Sequence, residues 1–202
     1  MTRLIIAALL IALAPACAPT PSVTARTGDW RTIATDGDAK RLREWRSSFT
    51  KGLERARIGH AAEVAREGHL LDPDAAIPGA LPNGRYRCRI IKLGARSEGL
   101  LDYIAYSGFA CRVRQERDVQ GFAKLSGSQR QVGLILPGDA LRTVFLGTLV
   151  LGDESRAMQY GRDPERDVAG WVERIEPNRW RIVLPAPRFE SLTDVIELIP
   201  AS

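Results

Sequence analysis

Apolar and polar positions change period once along this chain. Between Thr35 and Leu71 apolar residues return every three or four places, and Leu42, Trp45, Phe49, Leu53 and Ala56 form a single stripe. That spacing predicts an amphipathic helix. Thr35 stands at its start with Asp38 three residues on, a capping pattern near the positive end of the helix dipole. Gly59 is the predicted stop. A shorter helix from His60 to Leu71 follows, with Ala61, Val64, Ala65 and Gly68 as its small-residue face, ended by Asp72-Pro73. The two helices read as a hairpin. Residues 72–84 form a proline-rich connector with a turn at Asn83-Gly84.

From Arg85 onward the period falls to two. Short runs of Val, Ile, Leu, Tyr and Phe lie between Gly, Pro, Ser and Asn, the signature of successive antiparallel strands. Strands are predicted at 85–93, 102–113, 119–126, 130–136, 142–151, 169–175, 179–185 and 193–199. Val132, Leu134 and Leu136 fall on every second position, as do Trp180, Ile182 and Leu184. Ser126-Gly127-Ser128 and Pro177-Asn178 are predicted hairpin turns. The expected fold is α+β: an N-terminal helical hairpin packed on a mainly antiparallel, barrel-like sheet of about eight strands, in one domain over residues 35–202. Closure into a barrel would remove the edges that long apolar strands otherwise expose.

The first residues carry a different pattern. Arg3 precedes an apolar run from Leu4 to Leu13, followed by Ala14-Pro15-Ala16 and Cys17. Ten apolar residues are about half of the roughly 20 that span a bilayer as a helix, so residues 1–16 read as a signal peptide. Cys17 is then either the residue after an A-x-A cleavage site or the acylated cysteine of a lipoprotein. Residues 17–34, rich in Pro, Thr and Ser at their start, are expected to be a flexible tether. The predicted location is the periplasm, anchored to a membrane through Cys17 as a lipoprotein, or else secreted.

An exported chain changes the meaning of its cysteines. Beyond Cys17 there are two, Cys88 and Cys111, in two predicted strands within Arg85–Arg114. They are equidistant from Gly99-Leu100, so a hairpin turning there would place them opposite each other and allow a disulfide. The alternative is a pair of small buried hydrophobes. Gly108 inside the second strand suggests a bulge.

Charge narrows the partners. Removing Arg3 with the leader leaves 28 basic residues against 24 acidic ones. No dense basic cluster with aromatics is present, so nucleic acid is not an expected partner. The polar face of the first helix carries Lys40, Arg41, Arg43, Arg46, Lys51, Arg55 and Arg57, readable as a membrane-facing surface or as a solvated one.

No catalytic constellation assembles. His60 and His69 are nine apart and fall on nearly opposite helix faces, no G-x-S-x-G is present, and Ser107-Gly108 and Gly127-Ser128 read as a strand kink and a turn. Asp163, Glu165 and Asp167, near Asp153 and Glu154, alternate as calcium ligands can, but Arg162, Pro164 and Arg166 interrupt them. A solvated loop fits better. Glu173, Arg174 and Glu197 sit in or beside apolar strands and predict a buried charge paired with an arginine. No cofactor or metal is assigned.

Six stretches carry a resemblance: G-R-Y-R-C-R-I-I-K-L-G, K-L-S-G-S-Q-R, F-L-G-T-L-V-L-G, Y-G-R-D-P-E-R-D-V-A-G-W-V-E-R-I, R-W-R-I-V-L-P and F-E-S-L-T-D-V-I-E-L-I-P. In these the chain resembles domain of unknown function 4893, an uncharacterised family of exported alphaproteobacterial proteins, over most of residues 35–200. The resemblance implies a compartment and an architecture and transfers no functional residue. The expected function is a membrane-tethered binding or envelope-interaction module with an apolar small molecule or an envelope protein as partner. The alternatives are an inhibitor or partner of another exported protein, and then a hydrolase. The step from small barrel to binding rests on fold analogy.

Overall fold

The computed structural model describes residues 28–201. The leader, Cys17 and most of the tether lie outside them. Eight antiparallel strands follow one another around a closed barrel: β1 (Gly84–Ala95), β2 (Tyr103–Glu116), β3 (Val119–Lys124), β4 (Gln129–Pro137), β5 (Arg142–Leu151), β6 (Asp167–Glu176), β7 (Arg179–Pro185) and β8 (Ser191–Pro200). β1 pairs with β8 from Tyr86↔Pro200 to Ala95↔Ser191, which closes the cylinder. Each strand lies within three residues of its predicted bounds. Loops 96–102, 125–128, 152–166 and 186–190 gather at one end, the mouth. Residues 72–83 and the loops 117–118, 138–141 and 177–178 gather at the other, the foot.

Side chains alternate across a strand, and one face of every strand fills the barrel. Tyr86, Cys88 and Ile90, Phe122, Phe145, Ile182 and Ile196 belong to this single buried cluster. Trp180, Ile182 and Leu184 of β7 point inward, as their alternation suggests. On β4 the apolar row is on the outside: Leu136 packs under the helices and Leu134 is exposed, while Gln131, Gly133 and Ile135 face in. The cause is crowding. Phe122 and Phe145 meet edge to face at 5.4 Å in the lumen. A Cβ on Gly133 would lie 2.2 Å from the Leu146 carbonyl oxygen, so only glycine allows β4 and β5 to approach here.

Three helices cover the outer wall: α1 (Trp30–Ile33), α2 (Asp36–Arg43) and α3 (Trp45–Arg66), followed by a 3-10 turn, Gly68–Leu71. The Thr35 hydroxyl caps α2 by accepting from the Asp38 N–H. The predicted first helix is divided, because Glu44 (φ −92°, ψ 7°) leaves helical geometry between α2 and α3. Near the predicted stop at Gly59 the helix only bends: His60 (φ −136°, ψ 36°) interrupts α3, which then continues to Arg66. Phe49, Leu53 and Ala56 pack on Ile91, Val183 and Val195, so α3 lies across β1, β8 and β7. Leu42 packs on Trp171 and Ala169 over β5 and β6. The packed part begins before Thr35, inside the predicted tether: Trp30 is buried and stands edge to face with Trp171 at 5.9 Å.

The connector 72–83 is not a passive link. Leu81 is buried in the lumenal cluster, and its neighbours are tied down by the Trp180 indole N–H to Ala80 O, the Tyr86 hydroxyl to Pro82 O, and the Gln120 amide to Leu81 O. It plugs the foot.

Cys88 and Cys111 form a disulfide inside the lumen. They are not directly opposed as the symmetric count suggests. Cys88 faces Phe109 and Tyr86 faces Cys111, so the bridge runs diagonally with Cα atoms 6.0 Å apart. The turn is centred earlier than Gly99-Leu100, and the register shifts between Cys88 and Ile90, where Gly108 (φ 84°) sits in the extra stretch of β2.

Candidate functional site

Toward the mouth the lumen turns polar. Inward positions that are apolar lower down become lysine: Lys92 stands two residues beyond Ile90, and Lys124 two beyond Phe122. Both are buried. Gln131 is the lumenal residue next to Lys124, since Ala123 pairs with Val132 and both strands continue from there. A recess of about 250 Å³ opens between them and the loops, lined by Ile90, Lys92, Tyr106, Phe109, Lys124, Gln129 and Glu190 with the Gly127-Ser128 turn.

The two lysines differ in their company. The Lys92 amine donates to Asp194 Oδ2 at 2.9 Å and lies 3.2 Å from Glu190 Oε2. Burial alone would push that amine down; Asp194 and then Glu190 outweigh it and hold it above its ordinary value. Burial pushes the wholly enclosed Asp194 carboxyl up, against the pull of Lys92 and the Ser191 hydroxyl. Glu190 acts on the two in opposite senses, holding the Lys92 amine up as a cation and pushing the Asp194 carboxyl further up. Lys124 has no carboxylate within ion-pair reach among the described residues. Its amine donates to Ser126 O and Gln129 O, each at 2.8 Å, and stands 3.7 Å from the centre of the Phe109 ring. Burial, with repulsion from Arg130 and Lys92, lowers its pKa to about 8. At neutral pH it is still mostly a cation, held by dipoles and a ring face. The Gln131 amide oxygen is buried and unpaired.

Of the charges foreseen in the strands, Glu173 and Glu197 lie on the outer wall, while Arg174 pairs across the strands with Trp180 at the foot. Glu173 is buried, and Arg181, fully enclosed, donates through Nε to its carboxylate at 2.7 Å and through Nη1 to His69 O, Leu70 O and Asp72 O. Arg142 holds the other Glu173 oxygen. This group pins the 3-10 turn to the barrel. Glu197 bridges Arg89 and Arg179, and Arg89 continues to Glu67, which accepts from the Tyr103 hydroxyl at 2.9 Å. Burial and then Glu67 push the Tyr103 hydroxyl up to about 12. Arg174 bonds Pro78 O and Pro177 O at the foot.

The acidic loop is committed to arginines: Glu154 and Asp163 to Arg166, and Glu165 to Arg188. Asp167 is buried and accepts from the Gly161 N–H. His60 stacks on Tyr103 at 5.6 Å, and His69 lies 3.4 Å from Glu176, so the structure does not bring the histidines together. The mouth lysines are absent from the sequence reading, although a signal existed. Lys40, Lys51, Lys92 and Lys124 are the only lysines, and the last two occupy inward positions of apolar strands.

An antiparallel barrel with a helical cover and a polar mouth is therefore the class of protein present. The chain matches the family described as Domain of unknown function (DUF4893) over residues 30–198, and it belongs to that family. No curated protein and no solved structure matches it.

Proposed function

We propose that this chain is an exported, lipid-anchored periplasmic module that binds a small anionic molecule at the barrel mouth. The observation that carries the reading is Lys124, a buried ammonium beside an open recess with no carboxylate within ion-pair reach among the described residues, since Glu190 of the recess is engaged by Lys92. A buried uncompensated charge is costly, and an anion bound in the recess would offset that cost. Ile90, Tyr106 and Phe109 offer an apolar wall, so a carboxylate on a short aliphatic or aryl group fits best. The filled lumen leaves no space for a long chain below Ile90, and the recess is smaller than the roughly 300–1,000 Å³ of drug-sized pockets. The leader, Cys17 and a lumenal disulfide support export to an oxidising space.

Native mass spectrometry of the protein from producing cells tests this, followed by calorimetric titration with short aliphatic and aryl carboxylates. The expected result is one bound anion, with affinity reduced at least tenfold in Lys124→Met. No co-purified anion and no binding at millimolar concentration would remove the reading. Palmitate labelling that persists in Cys17→Ser would remove the lipid anchor alone.

A further inference from the structure

The two ends of the barrel differ in what they show to solvent. Each of the four mouth loops carries a large apolar side chain that stands out: Leu100 and Leu101, Leu125, Met158 and Phe189, with exposures between 40% and 62%. At the foot, among the described residues, only Ile77 does so, at 37%. Exposed single apolar residues are ordinary. One on every loop of a single end is a pattern.

Beside this rim lies a groove of about 440 Å³, floored by α2 and lined by Lys40, Arg41, Arg96 and Arg188 together with the carboxylates of Glu44 and Asp167. Arg41 is taken by Asp38 and Arg188 by Glu165. Lys40 has no carboxylate within ion-pair reach among the described residues, and Arg96 donates to the Pro187 carbonyl. Among the described residues, Lys40 and Arg96 thus stand outside any ion pair, although Glu44 and Asp167 share their groove.

We propose that the mouth end docks on a lipid bilayer containing anionic headgroups, with the four loop tips entering the interface and the groove meeting lipid phosphate. The tips are spread around a ring with a polar recess at its centre, which is not the continuous apolar patch that a protein partner buries. Separate tips in a fluid interface can each be accommodated independently, with cationic groups beside them. Chain length permits the pose. Cys17 precedes Gly28 by eleven residues, which covalently span at most about 40 Å, comparable to a twelve-residue strand. An anchored domain could then turn either end to the surface, and the rim selects the mouth. The proposal rests on the membrane-tethered reading above in placing this chain near a bilayer.

Sedimentation of the exported full chain carrying Cys17→Ser, and so lacking an acyl group, with vesicles tests it. Vesicles of phosphatidylcholine with 30 mol % phosphatidylglycerol should bind the chain, and pure phosphatidylcholine should bind it several-fold less. Leu101→Asp with Phe189→Asp should weaken binding at least tenfold with no change in thermal midpoint, and Ile77→Asp should have no effect. Lys40→Gln with Arg96→Gln should flatten the salt dependence. In cells, a photocrosslinker at position 101 should yield phospholipid adducts. Absence of vesicle binding, equal binding by the rim double variant, or one dominant protein adduct would each overturn the proposal. Ligand titration at the recess and palmitate labelling of Cys17 report on the earlier reading separately, so the two can fail independently.

Discussion

Lys124 and Arg181 are both buried cations, and they solve the problem in opposite ways. Arg181 is paired with Glu173 and satisfies three backbone carbonyls. Losing it would strand a buried carboxylate and those carbonyls, so Arg181→Met should cost about 3–5 kcal/mol in urea unfolding. Lys124 has no carboxylate within ion-pair reach among the described residues, and the folded state lowers its pKa from 10.5 to about 8. Below pH 8 the amine is protonated in both folded and unfolded chains, and the full burial penalty is present. Between about 8 and 10.5 the folded chain has released the proton while the unfolded chain still holds it, so stability rises with pH. Relative to Lys124→Met, wild-type protein should therefore gain stability across that window, as measured by urea midpoints at pH 7, 8, 9 and 10. A flat difference would mean that the amine is not depressed. A buried Glu173 paired with an arginine was legible beforehand, though not that Arg181 is the partner; the role of Lys124 was not. Which face of a strand points inward is a matter of parity with neighbouring strands, and a lone lysine in a Val- and Phe-rich stretch reads equally well as solvent-facing.

At the scale of elements, period was the reliable guide. The switch from helical spacing to alternation located the helical segment and all eight strands, because burial of one face imposes that spacing in either case. What it did not show was where each apolar row would be buried. β4 turns its Val132-Leu134-Leu136 row outward, since the aromatic pair in the lumen and the close approach at Gly133 leave no space for it. The Cys88–Cys111 pairing followed from cysteine count and strand spacing, yet its diagonal geometry depended on a bulge that only Gly108 announced. Cross-linking two residues separated by 23 positions limits the unfolded chain by about 3 kcal/mol. Cys88→Ala with Cys111→Ala should lower stability by about that amount while far-ultraviolet dichroism still reports a sheet, because the closed strand ladder does not need the bridge to form.

For the whole molecule, the distribution of polarity is decisive. A barrel that crosses a membrane carries its apolar residues on the outside and a polar interior. Here the lumen is apolar below its polar mouth, and the outer wall shows Arg112 and Arg114 on β2 and ion networks on β1, β7 and β8. Reading the connector as a loop missed its part in this arrangement, because Leu81 between prolines has no periodic context to mark it as core. Leu81→Ala should cost about 2–5 kcal/mol. It should also quicken hydrogen exchange at the foot ends of β1 and β7 more than at the mouth, a contrast that amide exchange mass spectrometry can read.

That stopper at the foot makes the barrel a blind well. Whatever enters at the top must leave by the same opening, so occupancy and escape compete for one doorway and nothing can be passed through from end to end. If the rim rests on a lipid surface, that single doorway faces the surface. Exchange with the surrounding fluid would then require the whole domain to lift away first, making the residence time of an occupant a property of docking as much as of the well itself.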